Sequence, residues 1–256
     1  MISKQKNNIP FFQFPNLSAF SDLRHGVFTR TGGYSKGPHQ SLNVGFSVGD
    51  EEGRVRENRR LISQCMDGKD LVFVNQVHGT EVFQIRNPKP ETRNSYDAMV
   101  TDVSDIILVI QVADCQAVIM YDPVRRVAAN VHSGWRGSVK NIISHTVNVM
   151  EKDFSCNPCN IVAGIGPSLG QCCAEFINYK TEIPESLWKY KDASDHFDFR
   201  AVTKEQLCNA GVSEENIYSD ALCTRCNTDM FFSYRGEGTT GRFGVAIGLK
   251  MDSGSV

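Results

Sequence analysis

One domain of the α/β (α+β) class is what this sequence predicts, and three observations predict it. Between Ile106 and Val131 lie three short apolar runs separated by turn residues, the pattern of buried strands. After them, Val139, Ile142, Ile143, Val147 and Met150 recur at helical spacing, which predicts an amphipathic helix over 138–150. Across all 256 residues no repeat period stands out and no linker separates two cores.

The elements follow in order. Residues 1–10 are polar and are expected to be frayed, so the domain is taken as 11–250, with Phe11, Phe12 and Phe14 as its first apolar anchor. Gly26 to Arg30 reads as a short strand broken at Thr31-Gly32-Gly33. Two glycines let the chain turn sharply there, which places Arg30 where an anion can meet it. Asp50 can cap a helix running to about Met66, stopped by Asp67-Gly68; its arginines alternate with acids, as on a solvated face. Leu71 to Val74 and Val82 to Ile85 are strands, and His78 lies on the loop between them, the kind of position that carries ligand and catalytic residues. A polar loop is expected over 87–94, and Tyr96 to Asp102 leads into the central stretch.

That stretch carries two reactive side chains, Cys115 and His132. The first run leads into Ala113-Asp114-Cys115, the second (Ala117 to Tyr121) stops at Asp122-Pro123, and the third (Val127 to Val131) delivers His132 into Gly134-Trp135-Arg136-Gly137. The helix that follows would aim backbone amides and Arg136 at the same place, an anion position. Asn160 to Ile165 is a further strand entering a glycine-rich loop, GIGPSLG, which has neither the lysine of a P-loop nor dinucleotide-loop spacing. Glu185 to Lys191 and Val202 to Ala210 are expected helices. Tyr218 to Cys223, Met230 to Tyr234 and Arg242 to Leu249 are expected strands, and 251–256 a loose tail.

Composition narrows the function. A net charge of -2 gives no electrostatic case for nucleic acid or an anionic membrane. No apolar run reaches the roughly 18 residues of a membrane span, and the start lacks a signal-like core, so a cytoplasmic place is expected. Nine scattered cysteines then read as thiols or ligands rather than a disulfide framework.

The cysteine pairs CNPC (Cys156, Cys159) and CTRC (Cys223, Cys226) suggest a four-thiolate zinc site, but 63 residues separate them, well beyond the roughly 15–20 of a zinc ribbon. Adjacent Cys172 and Cys173 suit neither a mutual disulfide nor joint ligation. A zinc-deaminase signature is absent, since no H-x-E occurs and Pro158-Cys159 lacks its second cysteine. His78, Cys115 and His132 remain. Two imidazoles and a thiolate suit Zn²⁺ with one open position; alternatively His132 activates Cys115 as a nucleophile. Spacing alone does not separate these uses.

NQVHGTEV, DAMVTD, the ADC strand, VHSGWRG, GIGPSLGQCC and FFSYRGEGTTGR, in this order from about His25 to Leu249, resemble the YfiH/laccase-domain family, also described as multicopper polyphenol oxidase-like or purine nucleoside phosphorylase-like. The resemblance implies a YfiH-like, cytotoxic-necrotising-factor-like fold of mixed sheets flanked by helices, in a monomer or weak homo-oligomer. It implies His78, Cys115 and His132 as catalytic zinc ligands. It also implies phosphorolysis of adenosine, inosine, guanosine and 5'-methylthioadenosine, with deamination of adenosine. Arg30, Arg136, Arg235 and Arg242 are the candidates for phosphate, Arg136 foremost, because a guanidinium fork matches phosphate oxygens. Asn75 and Asp114, close to the ligands, are candidates for orienting a ligand or the base. Copper is the second choice of metal, since the six histidines form no H-x-H pair of the kind a copper cluster needs. A Cys–His hydrolase of an amide or ester, a non-catalytic nucleoside- or metal-binding regulator, and a copper-dependent polyphenol oxidase are the other readings.

Overall fold

Alternation along the central strands decides the architecture. The computed structural model describes residues 1–87 and 95–251. One sheet contains β1 (Ile2–Lys6), β2 (Ile9–Gln13), β3 (Leu23–Phe28), β4 (Asp70–Val72), β7 (Ile106–Val112) and β12 (Phe243–Leu249), in the order β1-β2-β3-β12-β7-β4. The other contains β5 (Val82–Ile85), β6 (Ala98–Thr101), β8 (Gln116–Asp122), β9 (Val127–Ser133), β10 (Val162–Ile165) and β11 (Ile217–Ser219), in the order β11-β10-β8-β9-β6-β5. Both are mixed: β4 runs parallel to β7, β5 to β6 and β10 to β11, and the other pairs are antiparallel. The chain is thus one mixed α/β domain.

Side chains alternate across a strand, so β7 serves two cores at once. Ile106, Leu108, Ile110 and Val112 face Ala117, Ile119 and Tyr121 of β8 between the sheets. Ile107 and Val109 face Ile62 and Cys65 of α1 (Glu52–Cys65) on the outer side. In β8 and β9, Val118, Met120, Ala129 and Val131 face α3 (Ile142–Phe154) and Leu207 of α5 (Phe199–Asn209). The result is four layers, helix–sheet–sheet–helix. Both faces of the central strands are covered, which is why they read as continuous apolar runs. Buried Asn130 of β9 ties the sheets together, donating from Nδ2 to Leu108 O (3.0 Å) and Val245 O (2.8 Å).

Several expectations are corrected. Residues 1–9 are not frayed: β1 pairs antiparallel with β2, turned by Asn7 and Asn8, both with positive φ (53° and 62°), as a two-residue hairpin requires. β1 is exposed over four of its five residues, so it lacks the apolar alternation that marks a strand. The helix expected over 138–150 is two, α2 (Trp135–Val139) and α3, split at Asn141, which takes a left-handed conformation (φ 58°) and caps α3 by accepting from Ser144 N at 3.1 Å. Met230 to Tyr234 is no strand. Phe231 and Phe232 are fully buried loop residues, and Ser233 caps the single turn α6 (Tyr234–Glu237). Glu185–Tyr190 forms a 3-10 turn, and of the strand expected at Tyr218 to Cys223 only Tyr218 and Ser219 belong to a strand, β11, while Cys223 makes an isolated bridge to Ser168. Just before the 3-10 turn, Tyr179–Glu182 forms the short α4. Most of the 87–94 loop and all but Met251 of the tail lie outside the described residues. Among the described residues, no helix is long and apolar enough to cross a membrane.

Candidate metal centre and its two cavities

A strand end, a turn and a loop deliver the three ligand residues to one point. His132 is the penultimate residue of β9, opposite Ala117 of β8, and Cys115 occupies the turn just before β8. His78 comes from the β4–β5 loop. Its Nε2 lies 3.8 Å from Cys115 Sγ, and the ligand atoms of all three residues lie within 4.8 Å of one another. The two imidazoles meet edge to face, centroids 4.8 Å apart.

Asp97, the first residue of DAMVTD, organises this arrangement, although nothing in its spacing marks it as a site residue. It is fully buried at the head of β6. Its carboxylate accepts from the backbone N–H groups of Val77 (3.2 Å), His78 (2.9 Å) and Gly79 (2.6 Å), which holds His78 at its positive φ of 60°. Oδ1 also lies 2.8 Å from His132 Nδ1. A buried carboxylate needs such partners. Burial alone would raise its pKa, but His132 and the backbone donors hold it below the ordinary value.

The same geometry leaves Nε2 of His132 for a metal. Burial works against charge on both Cys115 and His132. Even so, the two imidazoles bring the Cys115 thiol down to about 6, and Cys115 with Asp97 raises His132 to about 9. A donor set of two imidazoles and a readily formed thiolate fits a borderline-soft ion such as Zn²⁺. The hydrogen bond from a carboxylate to the far side of a ligating imidazole is the usual support of a zinc ligand. Gly134 completes the cradle: a Cβ there would stand 2.6 Å from His78 Cδ2 and 3.0 Å from Cys115 Sγ. The glycine of VHSGWRG is therefore required by the close approach of two ligands.

Two cavities meet at His78 and Cys115. One, of about 350 Å³, is polar, with Asn75, Gln76, Gln111 and Arg242 in its wall. The other, of about 310 Å³, is walled by Trp135, Leu169, Phe176 and Phe199. Tyr234 borders both. Gln111 Oε1 in the first and Gln116 Oε1 in the second are buried with no hydrogen-bond partner among the described residues. Buried polar atoms are ordinarily paired, so these two acceptors call for a donor. Neither glutamine was singled out, since a glutamine at the end of an apolar strand carries no sequence signature.

The arginines separate. Arg242 lines the polar cavity, its guanidinium fixed on Thr240 O and Gly241 O. Arg235 borders the aromatic cavity and donates to Glu175 O at 3.0 Å. Arg30 is engaged elsewhere, paired with Glu237 at 2.8 Å and lying over Phe232. Arg136, expected as the foremost phosphate candidate, stacks on Trp135 and lines a separate hollow with Glu175 and Glu182. The helix it begins lasts only five residues, so the expected anion position at its start is not built. Asn75 borders the polar cavity. Asp114 borders the aromatic one, but its carboxylate is taken by Thr224 Oγ1 (2.6 Å), Ser233 Oγ (2.7 Å) and Arg235 N (2.6 Å). It fixes the turn that carries Cys115.

The family model described as multi-copper polyphenol oxidoreductase laccase matches residues 24–250. The chain is 31% identical over 255 residues to purine nucleoside phosphorylase YlmD of Geobacillus stearothermophilus, covering 91% of this chain and 92% of that one. It is 31% identical over 230 residues to purine nucleoside phosphorylase YfiH of Escherichia coli, covering 86% and 91%. The crystal structure of YlmD from Geobacillus stearothermophilus superposes with a TM-score of 0.88 at 29% identity, covering 97% of this chain and 99% of that one.

Proposed function

The chain belongs to the multi-copper polyphenol oxidoreductase laccase family, and from that premise we propose that it is a zinc-dependent purine nucleoside phosphorylase. Its substrates in this reading are adenosine, inosine, guanosine and 5'-methylthioadenosine, with deamination of adenosine as a second activity, in the cytoplasm. The observation that carries the reading is the meeting of His78, Cys115 and His132 at the junction of an aromatic cavity and a polar, arginine-bearing one. Relatives named purine nucleoside phosphorylase support it.

His78, Cys115 and His132 would hold the zinc ion, which when bound would supply Lewis-acid chemistry. The remaining work falls to side chains. Trp135, Phe176 and Phe199 offer apolar rings against which a purine packs, and a base stacked on an aromatic gains about 1–3 kcal/mol. Arg242 in the polar cavity holds phosphate, with Asn75 beside it. Gln111 and Gln116 line the two cavities, and a side-chain rotation would present their unpartnered amide oxygens to ribose hydroxyls or base N–H groups. In phosphorolysis a phosphate oxygen bonds to C1' of the ribose as the C1'–N9 bond breaks, and the purine leaves with a proton. A site that orders both reactants across one ligand cluster lowers the entropic part of that barrier.

One observation favours a second reading. Cys115, His132 and Asp97 are linked in the order nucleophile, base and carboxylate, which is the arrangement of a Cys–His hydrolase. Incubating the zinc-loaded protein with inosine and phosphate decides between them. Hypoxanthine plus ribose 1-phosphate, lost in Cys115→Ala together with the zinc of the His78–Cys115–His132 site, is the expected result. If Cys115→Ala bound as much zinc and still cleaved inosine with phosphate, the phosphorylase reading would fail; acid released from an ester or amide would favour the hydrolase.

A further inference from the structure

Next in the chain to Ser168 and Leu169 of the aromatic cavity's wall, four thiols converge. Cys172 Sγ lies 3.7 Å from Cys226 Sγ, and Cys173 Sγ lies 3.6 Å from the same sulfur. With Cys223, all four sulfurs fall within 4.8 Å of one another. We infer that Cys172, Cys173, Cys223 and Cys226 form a second, structural metal site that binds zinc through four thiolates.

The distances separate this from a disulfide or from chance packing. With Zn–S bonds of about 2.3 Å, the sulfurs of a tetrahedral centre lie about 3.8 Å apart. A disulfide needs about 2.05 Å. The two close contacts match the tetrahedral edge, and Cys226 is shared between them, which no single disulfide explains. Cys223 Sγ also accepts from Gly170 N at 3.2 Å, a backbone donor aimed at sulfur of the kind that supports thiolate ligands.

The pairing differs from the one the sequence suggested. CTRC contributes both its cysteines, but its partner is Cys172-Cys173 rather than CNPC; Cys156 and Cys159 stand outside the cluster. Adjacent cysteines serve together here because they lie on a 3-10 turn, Gln171–Cys173, and both reach Cys226. On binding, four thiols lose their protons to solvent, leaving a centre of net charge -2 around the divalent ion. Arg200 is a cation within electrostatic reach of Cys223 and Cys172, fixed by Ser168 O (2.8 Å) and Leu222 O (2.5 Å).

Such a site would clamp the loop that walls the aromatic cavity to the loop that holds Asp114. Thr224, inside CTRC, donates to Asp114 beside Cys115, and its N–H donates to Ser168 O at 3.0 Å. Leu169 N donates to Asp114 O at 2.8 Å. A metal tying 172–173 to 223–226 therefore holds the turn that presents Cys115 without touching substrate.

The test uses the full chain, reduced, loaded with zinc and freed of excess metal. In wild type, iodoacetamide should spare Cys172 and Cys226 although both are exposed, and modify them after zinc is removed by a chelator. Exposed Cys159 should react in both states. In the double variant Cys172→Ser with Cys226→Ser, bound zinc should fall by one ion per chain. In Cys115→Ser, Co²⁺ should still give the intense visible and thiolate charge-transfer bands of a tetrahedral four-sulfur centre. Zinc content equal to wild type in the double variant, zinc-independent alkylation of Cys172 and Cys226, or a disulfide joining Cys226 to Cys172 or Cys173 in the zinc-loaded protein would overturn the inference.

Discussion

Asp97 and His132 are joined twice. The carboxylate Oδ1 lies 2.8 Å from the imidazole Nδ1, and His132 N donates to Asp97 O at 2.7 Å. The main-chain bond is part of the β6–β9 pairing region, so the ring is aligned by the sheet and its tautomer by the carboxylate. Asp97→Asn preserves the first and weakens the second. Zinc affinity at the His78–Cys115–His132 site should drop about 10–100-fold, the usual cost of losing a partner behind a ligand. Competition against a chromophoric chelator measures it, and an unchanged affinity would remove Asp97 from the metal's support.

Gly134→Ala asks whether the cradle is as close as its geometry says. A Cβ 2.6 Å from His78 Cδ2 forces the imidazole or the β9–α2 turn to move. Contacts under 3.0 Å against a ring are not relieved by a small adjustment. The variant should lose zinc from this site and at least about 100-fold in phosphorolysis, as misplacement by about 1 Å does. Far-UV circular dichroism should stay unchanged, because the turn is local. Wild-type zinc content and rate in this variant would contradict the stated packing.

These two residues mark the limit of what the sequence makes legible. His78, Cys115 and His132 stand at strand ends and in loops, where reactive side chains announce themselves, and the structure brings them together. The strands β7, β8, β9 and β12 are legible because burial on both faces makes them continuously apolar. Asp97 and Gly134 act through hydrogen bonds and lack of bulk, which only three-dimensional neighbours reveal. Arg136 shows the opposite case: four residues from His132 in sequence, it lies over Trp135 and lines a separate hollow with Glu175 and Glu182. The β1–β2 hairpin was illegible for a third reason, an exposed polar edge strand having no pattern to read apart from Asn7-Asn8.

Arg242 should bear on phosphate rather than nucleoside. It borders the polar cavity, and Lys in its place keeps the charge but loses the two-pronged match to phosphate oxygens. Arg242→Lys is expected to raise KM for phosphate about tenfold or more while KM for inosine changes little and zinc content stays at the wild-type value. Steady-state kinetics with each substrate varied in turn reads the difference. A rise confined to inosine would assign Arg242 to the nucleoside and move phosphate elsewhere.

His25 gives the stability a pH dependence unrelated to the metal. It is 2% exposed on β3, stacked on Phe14, and its Nε2 accepts from Phe14 N at 3.0 Å. Protonation would destroy that acceptor inside a dry core, and burial lowers its pKa from 6.5 to about 4. As pH falls below about 6.5, the unfolded chain takes up a proton that the folded chain refuses until about pH 4. Protons therefore favour unfolding in that window, and the loss levels off below it. The full difference corresponds to about 3 kcal/mol, or a fall of roughly 5–10 °C in Tm. Asp97, whose pKa is lowered, adds its own loss only at lower pH, as the solution approaches and passes the ordinary carboxylate range. His25→Gln keeps a side-chain acceptor for Phe14 N without a titrating ring, so the slope of Tm between pH 6.5 and 4 should flatten relative to wild type. Calorimetry of both proteins across that window decides it, and equal slopes would rule His25 out as the group responsible.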